Sequence, residues 1–234
     1  GTINASTGVF GEGGAGGISI RADEVEVRSG GALLSSSSGY GGGGNITVDA
    51  DRLLLDRGSI SAFGTRRGVA GRIDLRARDL VLIGGMINTE SGGDSRAGDI
   101  LIDAQSVSLS DASRIKSDSS GSGDAGQLQI HVGGVFSVLD STITTEAAAG
   151  NGGDIGLRSA SVLKLERSRI TTSVTGLTGN GGDIDIDAKA LVMNSGFIQA
   201  NTAADRASGG RVGVDASLLV PSGNSVFVGG RTAL

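Results

Sequence analysis

A repeat of 27 to 29 residues runs through this 234-residue chain and constrains its fold more than any other feature. Each copy starts with an apolar residue after a glycine-rich turn, and successive copies are separated by 28, 27, 27, 28, 27, 29 and 28 residues. A period in this range, kept through eight copies, is typical of a solenoid. The leading apolar positions are Ile18, Ile46, Ile73, Ile100, Leu128, Ile155, Ile184 and Val212.

The stretch Gly179–Lys189, GNGGDIDIDAK, is the clearest copy. Its isoleucines alternate with aspartates, which is the period of a strand with one buried face. Every copy carries three such apolar pairs, and short turns join them. In the second copy these pairs are Ile46 and Val48, Leu53 and Leu55, and Ile60 and Ala62.

Three short strands per copy predict an all-β fold, a right-handed parallel β-helix with three sides and about eight coils. A helical solenoid is the competing fold, but helical spacing of apolar residues is missing and 43 glycines would destabilise helices. The ends of the sequence carry no polar cap, so residues 1–234 are expected to be one β-helix segment of a longer array.

Stacked coils should align like side chains in columns that form a continuous aliphatic core. One corner is expected to accept an extra residue, because Ala50 precedes Ile60 by ten positions and Ala104 precedes Ile115 by eleven. The third-strand column is predicted to be Ile3, Leu33, Ile60, Ile87, Ile115, Ile143, Ile170, Ile198 and Val226, followed two places later by Ala, Ser or Thr in most copies.

Composition narrows the range of partners. A net charge of −5 provides no basic field, so nucleic acid is not an expected partner. The absence of cysteine excludes disulfides and thiolate metal sites, and no apolar run is long enough to span a membrane.

Three aspartates on one strand, Asp183, Asp185 and Asp187, exceed what the repeat needs. With Asp154 and Asp215 on adjacent coils they form a set of hard oxygen ligands that suits Ca²⁺. The alternative is a solvated acidic patch. No catalytic residue and no other cofactor is predicted, although stacked Asp154 and Asp183 could be imagined as the acid and base of a polysaccharide-active enzyme.

An outward column of charged residues should form ion pairs between coils and contains the lone histidine of the chain. Its members are Arg21, Asp49, Arg76, Asp103, His131, Arg158, Asp187 and Asp215.

The repeat resembles the glycine-rich repeats of filamentous-haemagglutinin-like exoproteins of two-partner secretion systems, particularly the large cyanobacterial ones. The resemblance covers essentially residues 1–234 and rests on units such as GDILIDAQSVSLSDASRIKSDSSGSGDAG and GNGGDIDIDAKALVMNSGFIQANTAADRASGG, with GNGGDIxI, LxL, then xIxT or xIxA. It implies a secreted or surface-held fibre that crosses the outer membrane through a partner barrel and serves adhesion, aggregation or a surface layer.

The leading functional hypothesis is a non-enzymatic structural and adhesive segment of a secreted or cell-surface fibre, which self-assembles end to end or laterally or binds other matrix components. The alternative is a glycan- or surface-binding module that acts through its turns, such as residues 63–71, 90–98 and 118–126. A polysaccharide-active β-helix enzyme is the third hypothesis.

Overall fold

The computed structural model describes residues 1–8, 13–65, 68–204 and 207–231, and every regular element among them is a β-strand. The strands are β1 (Thr2–Asn4), β2 (Ile18–Arg28), β3 (Ala32–Ser37), β4 (Ile46–Asp56), β5 (Ser59–Gly64), β6 (Ile73–Ile83), β7 (Met86–Ser91), β8 (Ile100–Ser110), β9 (Arg114–Ser119), β10 (Leu128–Val132), β11 (Phe136–Leu139), β12 (Thr142–Ala147), β13 (Ile155–Glu166), β14 (Arg169–Val174), β15 (Ile184–Asn194), β16 (Phe197–Thr202), β17 (Val212–Ser222) and β18 (Val226–Arg231).

The strands form two parallel sheets of nine strands, and each strand pairs with its equivalent one coil away. The first sheet runs from β2 to β17 through the long strands, and β11 continues β10 within it. The second runs from β1 to β18 through the six-residue strands. This arrangement confirms the predicted all-β solenoid of about eight turns, whose coils we number from one, at Ile18, to eight, at Val212.

The first two predicted strands of a coil are joined in one long strand with a corner inside it. In β4 the alternating side chains of Ile46, Val48 and Ala50 are buried. The next alternating pair with buried side chains is Leu53 and Leu55. The two residues between Ala50 and Leu53 are both exposed, so the alternation changes phase there. That phase change turns the chain, and each coil therefore has three flanks.

The extra residue of the longer coils lies at two different corners, where the sequence predicted one. In coils five and six it lies at the corner within the long strand, between Val132 and Phe136 and between Ser159 and Leu163. There β10 separates from β11, and the pairing of β13 with β15 shifts register between Ser159 and Val162.

In other long coils the extra residue lies before the short strand. Coil eight is one of them, and its longer turn places Phe227, not Val226, opposite Ile198. The prediction of Val226 in the third-strand column was therefore wrong by one residue. The spacing rule failed because either corner can absorb an added residue without disturbing the ladder between them.

The predicted columns form a continuous core along the rod. Its central members, such as Ile73, Ile100 and Leu128, have at most 1% of their surface exposed. Burial of this aliphatic surface, at roughly 25 cal/mol per Å², is the main source of stability. The end coils leave equivalent positions open: Ile3 is 51% and Leu219 46% exposed.

The corner that closes each coil requires glycine because the backbones of neighbouring coils are in close contact there. A Cβ built on Gly126 would overlap the carbonyl group of Gly98 in the preceding coil, and one on Gly153 would overlap that of Gly126. Buried hydroxyls of the short strands hold this corner from inside. Ser117 Oγ donates to Gly98 O (2.9 Å) and accepts from Gly126 N (2.9 Å), and Thr145 Oγ1 donates to Gly153 O (2.5 Å). The Ser and Thr residues at this position of the repeat are explained in this way.

Candidate functional site

A charged groove lies on the outer face of the long-strand sheet, from coil four to coil eight. It consists of two neighbouring hollows of about 650 and 550 Å³ that share Arg158 and Asp187. We use the name charged groove for the set Asp103, His131, Arg158 and Asp187 in the first hollow and Asp154, Asp183, Asp185, Arg211 and Asp215 in the second.

Two local features of the sequence create this groove. The extra residues of coils five and six widen the corner at Gly133 and Ala160, which line the first hollow. In the second hollow, Gly156 and Gly213 stand where outward side chains stand in other coils. The side chains of Gln129 and Asp185 lie over these two glycines. A Cβ added at Gly156 would be 2.8 Å from Gln129 Nε2, and one added at Gly213 would be 2.6 Å from Asp185 Oδ1. The extra residues of coils five and six are β-bulges, and β-bulges often redirect side chains beside functional sites.

Two of the three predicted calcium ligands, Asp183 and Asp185, share Arg211 as an ionic partner. Arg211 Nη2 donates to Asp185 Oδ1 (2.7 Å), and Arg211 Nε lies 3.9 Å from Asp183 Oδ2. Asp187 lies in register with Arg158 and Asp215. Within the described ranges, no three His, Asp or Glu side chains are grouped as a metal site would need. Calcium binding stays a prediction, and a bound ion would compete with the Arg211 guanidinium for two of its ligands.

Asp154 and Asp183 each accept a backbone hydrogen bond from the next coil, as the equivalent residue of another coil also does. Asp154 Oδ1 accepts the backbone N–H of Asp183 (2.9 Å), and Asp183 Oδ1 accepts that of Arg211 (2.7 Å). The equivalent Asp99 accepts the N–H of Gln127 one coil later (2.8 Å). One oxygen of each carboxylate is thus used to hold the next coil in register.

The charged column pairs at two of the predicted places. His131 Nδ1 lies 3.1 Å from Asp103 Oδ1, and Arg21 Nε lies 3.4 Å from Asp49 Oδ2. The side chain of His131 is 39% exposed, so it is a solvated member of the column. Exposed pairs of this type contribute about 0.2–1 kcal/mol each.

Another ionic cluster lies at the turn between the long and short strands of coil six. Arg167 donates to both oxygens of Asp140 (2.8 and 2.9 Å) and to Glu166 (2.6 Å). These hydrogen bonds lower the pKa of both carboxyl groups below their usual values. In contrast, burial raises the pKa of Asp118. Its Oδ2 is 2.5 Å from Lys116 Nζ, and its Oδ1 has no hydrogen-bond partner among the described residues.

A further hollow of about 450 Å³, beside this cluster, was not identified from the sequence. Its lining residues are Arg167, Ser168, Arg169, Ser195, Phe197 and Gln199. The register of the short strands was the signal that could have found it, because it places Arg169 directly beside Phe197 on neighbouring coils.

Fold and site define a β-solenoid repeat protein with a charged lateral groove. Comparison of the chain with protein-family models, with curated proteins and with solved structures identifies no match. In the part of the chain that the structure describes, no helix could cross a membrane.

Proposed function

We propose that this chain is a non-enzymatic structural and adhesive segment of a secreted or cell-surface fibre, of the filamentous-haemagglutinin-like kind exported through an outer-membrane partner. The observation that carries this proposal is the continuous core. Every described coil presents nearly the same apolar columns to the coil above and to the coil below. Such a stack is long and stiff, and a stalk requires both properties.

The end coils of residues 1–234 expose apolar positions that a further coil would cover, whether that coil belongs to a longer chain or to a second copy. Leu218, Leu219 and Val220 are 55%, 46% and 40% exposed on the last coil, and its strand edge is unpaired within the described residues. If the first coil of a second copy lay on that edge, its Arg21 would take the place after Asp215 in the charged column. The pair would repeat the contact of Arg21 with Asp49 within one rod. Apolar burial and opposite charge both favour this partner.

The short-strand sheet imposes one condition on such stacking. It begins with β1, which comes before the first long strand, and ends with β18, which follows the last one. When β2 of a second copy pairs with β17, its β1 therefore reaches the level that β18 already occupies. A variant that consists of residues 17–234 removes this conflict and should stack more readily than the whole chain.

Light scattering and electron microscopy of both forms test the proposal. The expected result is concentration-dependent rods that lengthen along their axis, more strongly for residues 17–234. Replacement of Asp215 by Arg places like charges at the junction and should reduce stacking. Strictly monomeric rods for both forms would contradict end-to-end assembly, and lateral bundles would favour side-by-side association.

The non-enzymatic part of the proposal is supported by the backbone-capping role of Asp154 and Asp183. Lyase and hydrolase assays on acidic and neutral polysaccharides should therefore detect no turnover. Activity that disappears in Asp154→Asn or Asp183→Asn, with the coil structure intact by circular dichroism, would revive an enzymatic function.

A second function, binding of a glycan or another surface through the turns, is favoured by exposed apolar side chains at the glycine corner. Tyr40, Val69 and Leu177 are 57%, 52% and 75% exposed there. Of the turn at 63–71, Arg66 and Arg67 lie outside the described residues. A glycan array with the protein and with a Leu177→Ser variant tests this function, and an array without hits would count against it.

A further inference from the structure

The hollow beside β14 and β16 combines an arginine with an aromatic ring. The Arg169 guanidinium carbon lies 5.9 Å from the centre of the Phe197 ring, within the range of a cation–π contact. This contact orients the guanidinium at the edge of the hollow. Arg169 forms no salt bridge with any described residue, so its charge is available to a ligand.

The acidic neighbours of this hollow are already neutralised. Arg167 pairs with Asp140 and Glu166, and Lys164 Nζ lies 3.2 Å from Glu166 Oε2, so two cations balance these two carboxylates. The hydrogen bonds from Arg167 to the carboxylates raise the pKa of its guanidinium further above its usual value. An anion that approached Arg169 would therefore meet a local balance of charge that the net −5 of the chain does not reveal. At physiological ionic strength, charges beyond about 8 Å are largely screened.

The remaining lining offers hydrogen bonds. The side chains of Ser195 and Gln199 make no hydrogen bond to other described residues and border the hollow together with Phe197. A volume of about 450 Å³ lies within the usual range of pockets that bind small molecules. A ligand that fits this lining has a carboxylate for the guanidinium fork, hydroxyls for the amide and the serine, and an apolar face for the ring.

We propose that this hollow binds a uronic acid residue of an acidic polysaccharide, with its carboxylate on Arg169 and its ring beside Phe197. This site is independent of rod assembly, because it lies on the side of coils six and seven. Its loss would leave stacking intact, and failure of stacking would leave the site intact.

Trigalacturonate is the probe, and the Arg169 Nε–H signal in the NMR spectrum of the folded protein is the readout. We expect a saturable shift of that signal, with maltotriose as the neutral ligand of equal length and acetate as the carboxylate without a sugar. Arg169→Gln, followed by calorimetric titration, should weaken binding about 10-fold or more, as expected for loss of a charge-assisted hydrogen bond. Phe197→Leu, which keeps apolar volume, should weaken it several-fold.

Arg114 provides a matched control because it occupies the same outward column two coils earlier. Its in-register neighbours there are Met86 and Thr142, and neither is aromatic. Arg114→Gln should leave the affinity for trigalacturonate within twofold. Melting curves verify that each variant is folded. The proposal is overturned if trigalacturonate does not shift the signal, if acetate or maltotriose binds as tightly, or if Arg114→Gln weakens binding as much as Arg169→Gln.

Discussion

The glycine corner allows the sharpest test of how the coils are held together. Gly126→Ala would place a methyl group against the carbonyl of Gly98 and 2.6 Å from Ser117 Oγ. The hydroxyl of Ser117 links Gly98 O and Gly126 N at 2.9 Å each, so the methyl group also displaces the buried link between two coils.

The cost has two parts. Overpacking in a tight interior costs about 1–3 kcal/mol. Loss of the hydrogen bonds of a buried hydroxyl, with polar groups left unpaired, costs about 1–3 kcal/mol. We therefore expect the free energy of unfolding to fall by about 2–6 kcal/mol. This loss lowers the urea midpoint by about 0.7–3 M for a slope of about 2–3 kcal/mol/M.

Gly92→Ala is the matched control. A Cβ at Gly92 would lie 3.8 Å from Thr65 Cγ2 and 3.9 Å from Ser120 Oγ, which is ordinary contact. That variant should be neutral or more stable by up to about 1 kcal/mol, because alanine restricts the unfolded chain. Urea unfolding followed by circular dichroism measures both. The reasoning would be refuted if the urea midpoint of Gly126→Ala lay within about 0.3 M of that of the unaltered protein. It would also be refuted if both variants lost equal stability.

The other predictions concern single side chains. Thr145→Val should destabilise the protein by about 1–3 kcal/mol by leaving the carbonyl of Gly153 unpaired, whereas Thr145→Ser should keep most of the stability in thermal unfolding. Arg167 lowers the pKa of Asp140 in the folded protein. The stability from this ion pair is therefore fully present above the usual carboxyl pKa of about 4 and is lost as the pH falls through the lower pKa of the folded state. Arg167→Gln should flatten this acid dependence in unfolding titrations between about pH 2 and 6. Arg211→Ala should raise the affinity for Ca²⁺ in calorimetric titration, because it frees two carboxylates of the charged groove.

Each of these has a contradicting result. Equal stability of the Val and Ser variants would mean that the buried hydroxyl is not bonded to the corner. An unchanged acid profile would separate Arg167 from the titration of Asp140. No gain of calcium affinity would reduce the three aspartates to a solvated patch.

The columns of the core could be predicted from the sequence because parallel stacking repeats every side-chain direction once per coil. Ile46, Ile73 and Ile100 show this, since a single period fixes their register and their burial. The role of the small hydroxyl residues was not predictable in the same way. A Ser or Thr after an inward isoleucine shows a lack of bulk, but not which carbonyl its hydroxyl meets across the coil.

Less of the candidate site could be predicted. The three aspartates were identified, but Arg211 belongs to the next coil, and only the three-dimensional register shows that its side chain turns back toward Asp185. The wider corner at Gly133 was concealed, because a residue added there and one added at the next corner give the same spacing between columns. The hollow at Phe197 was missed because the spacing of the core columns was applied to inward residues only, whereas the contact of Arg169 with Phe197 lies between outward residues of neighbouring coils.

The most direct test of the central claim is electron microscopy of purified residues 1–234 and 17–234 across a concentration series, combined with axial diffraction. We expect filaments one rod wide that lengthen with concentration, form more readily from residues 17–234, and give a reflection along their axis near the inter-strand spacing of about 4.8 Å. Separate rods of one fixed length at every concentration, in both forms, would contradict the proposal that the coils of this protein are built to stack into a fibre.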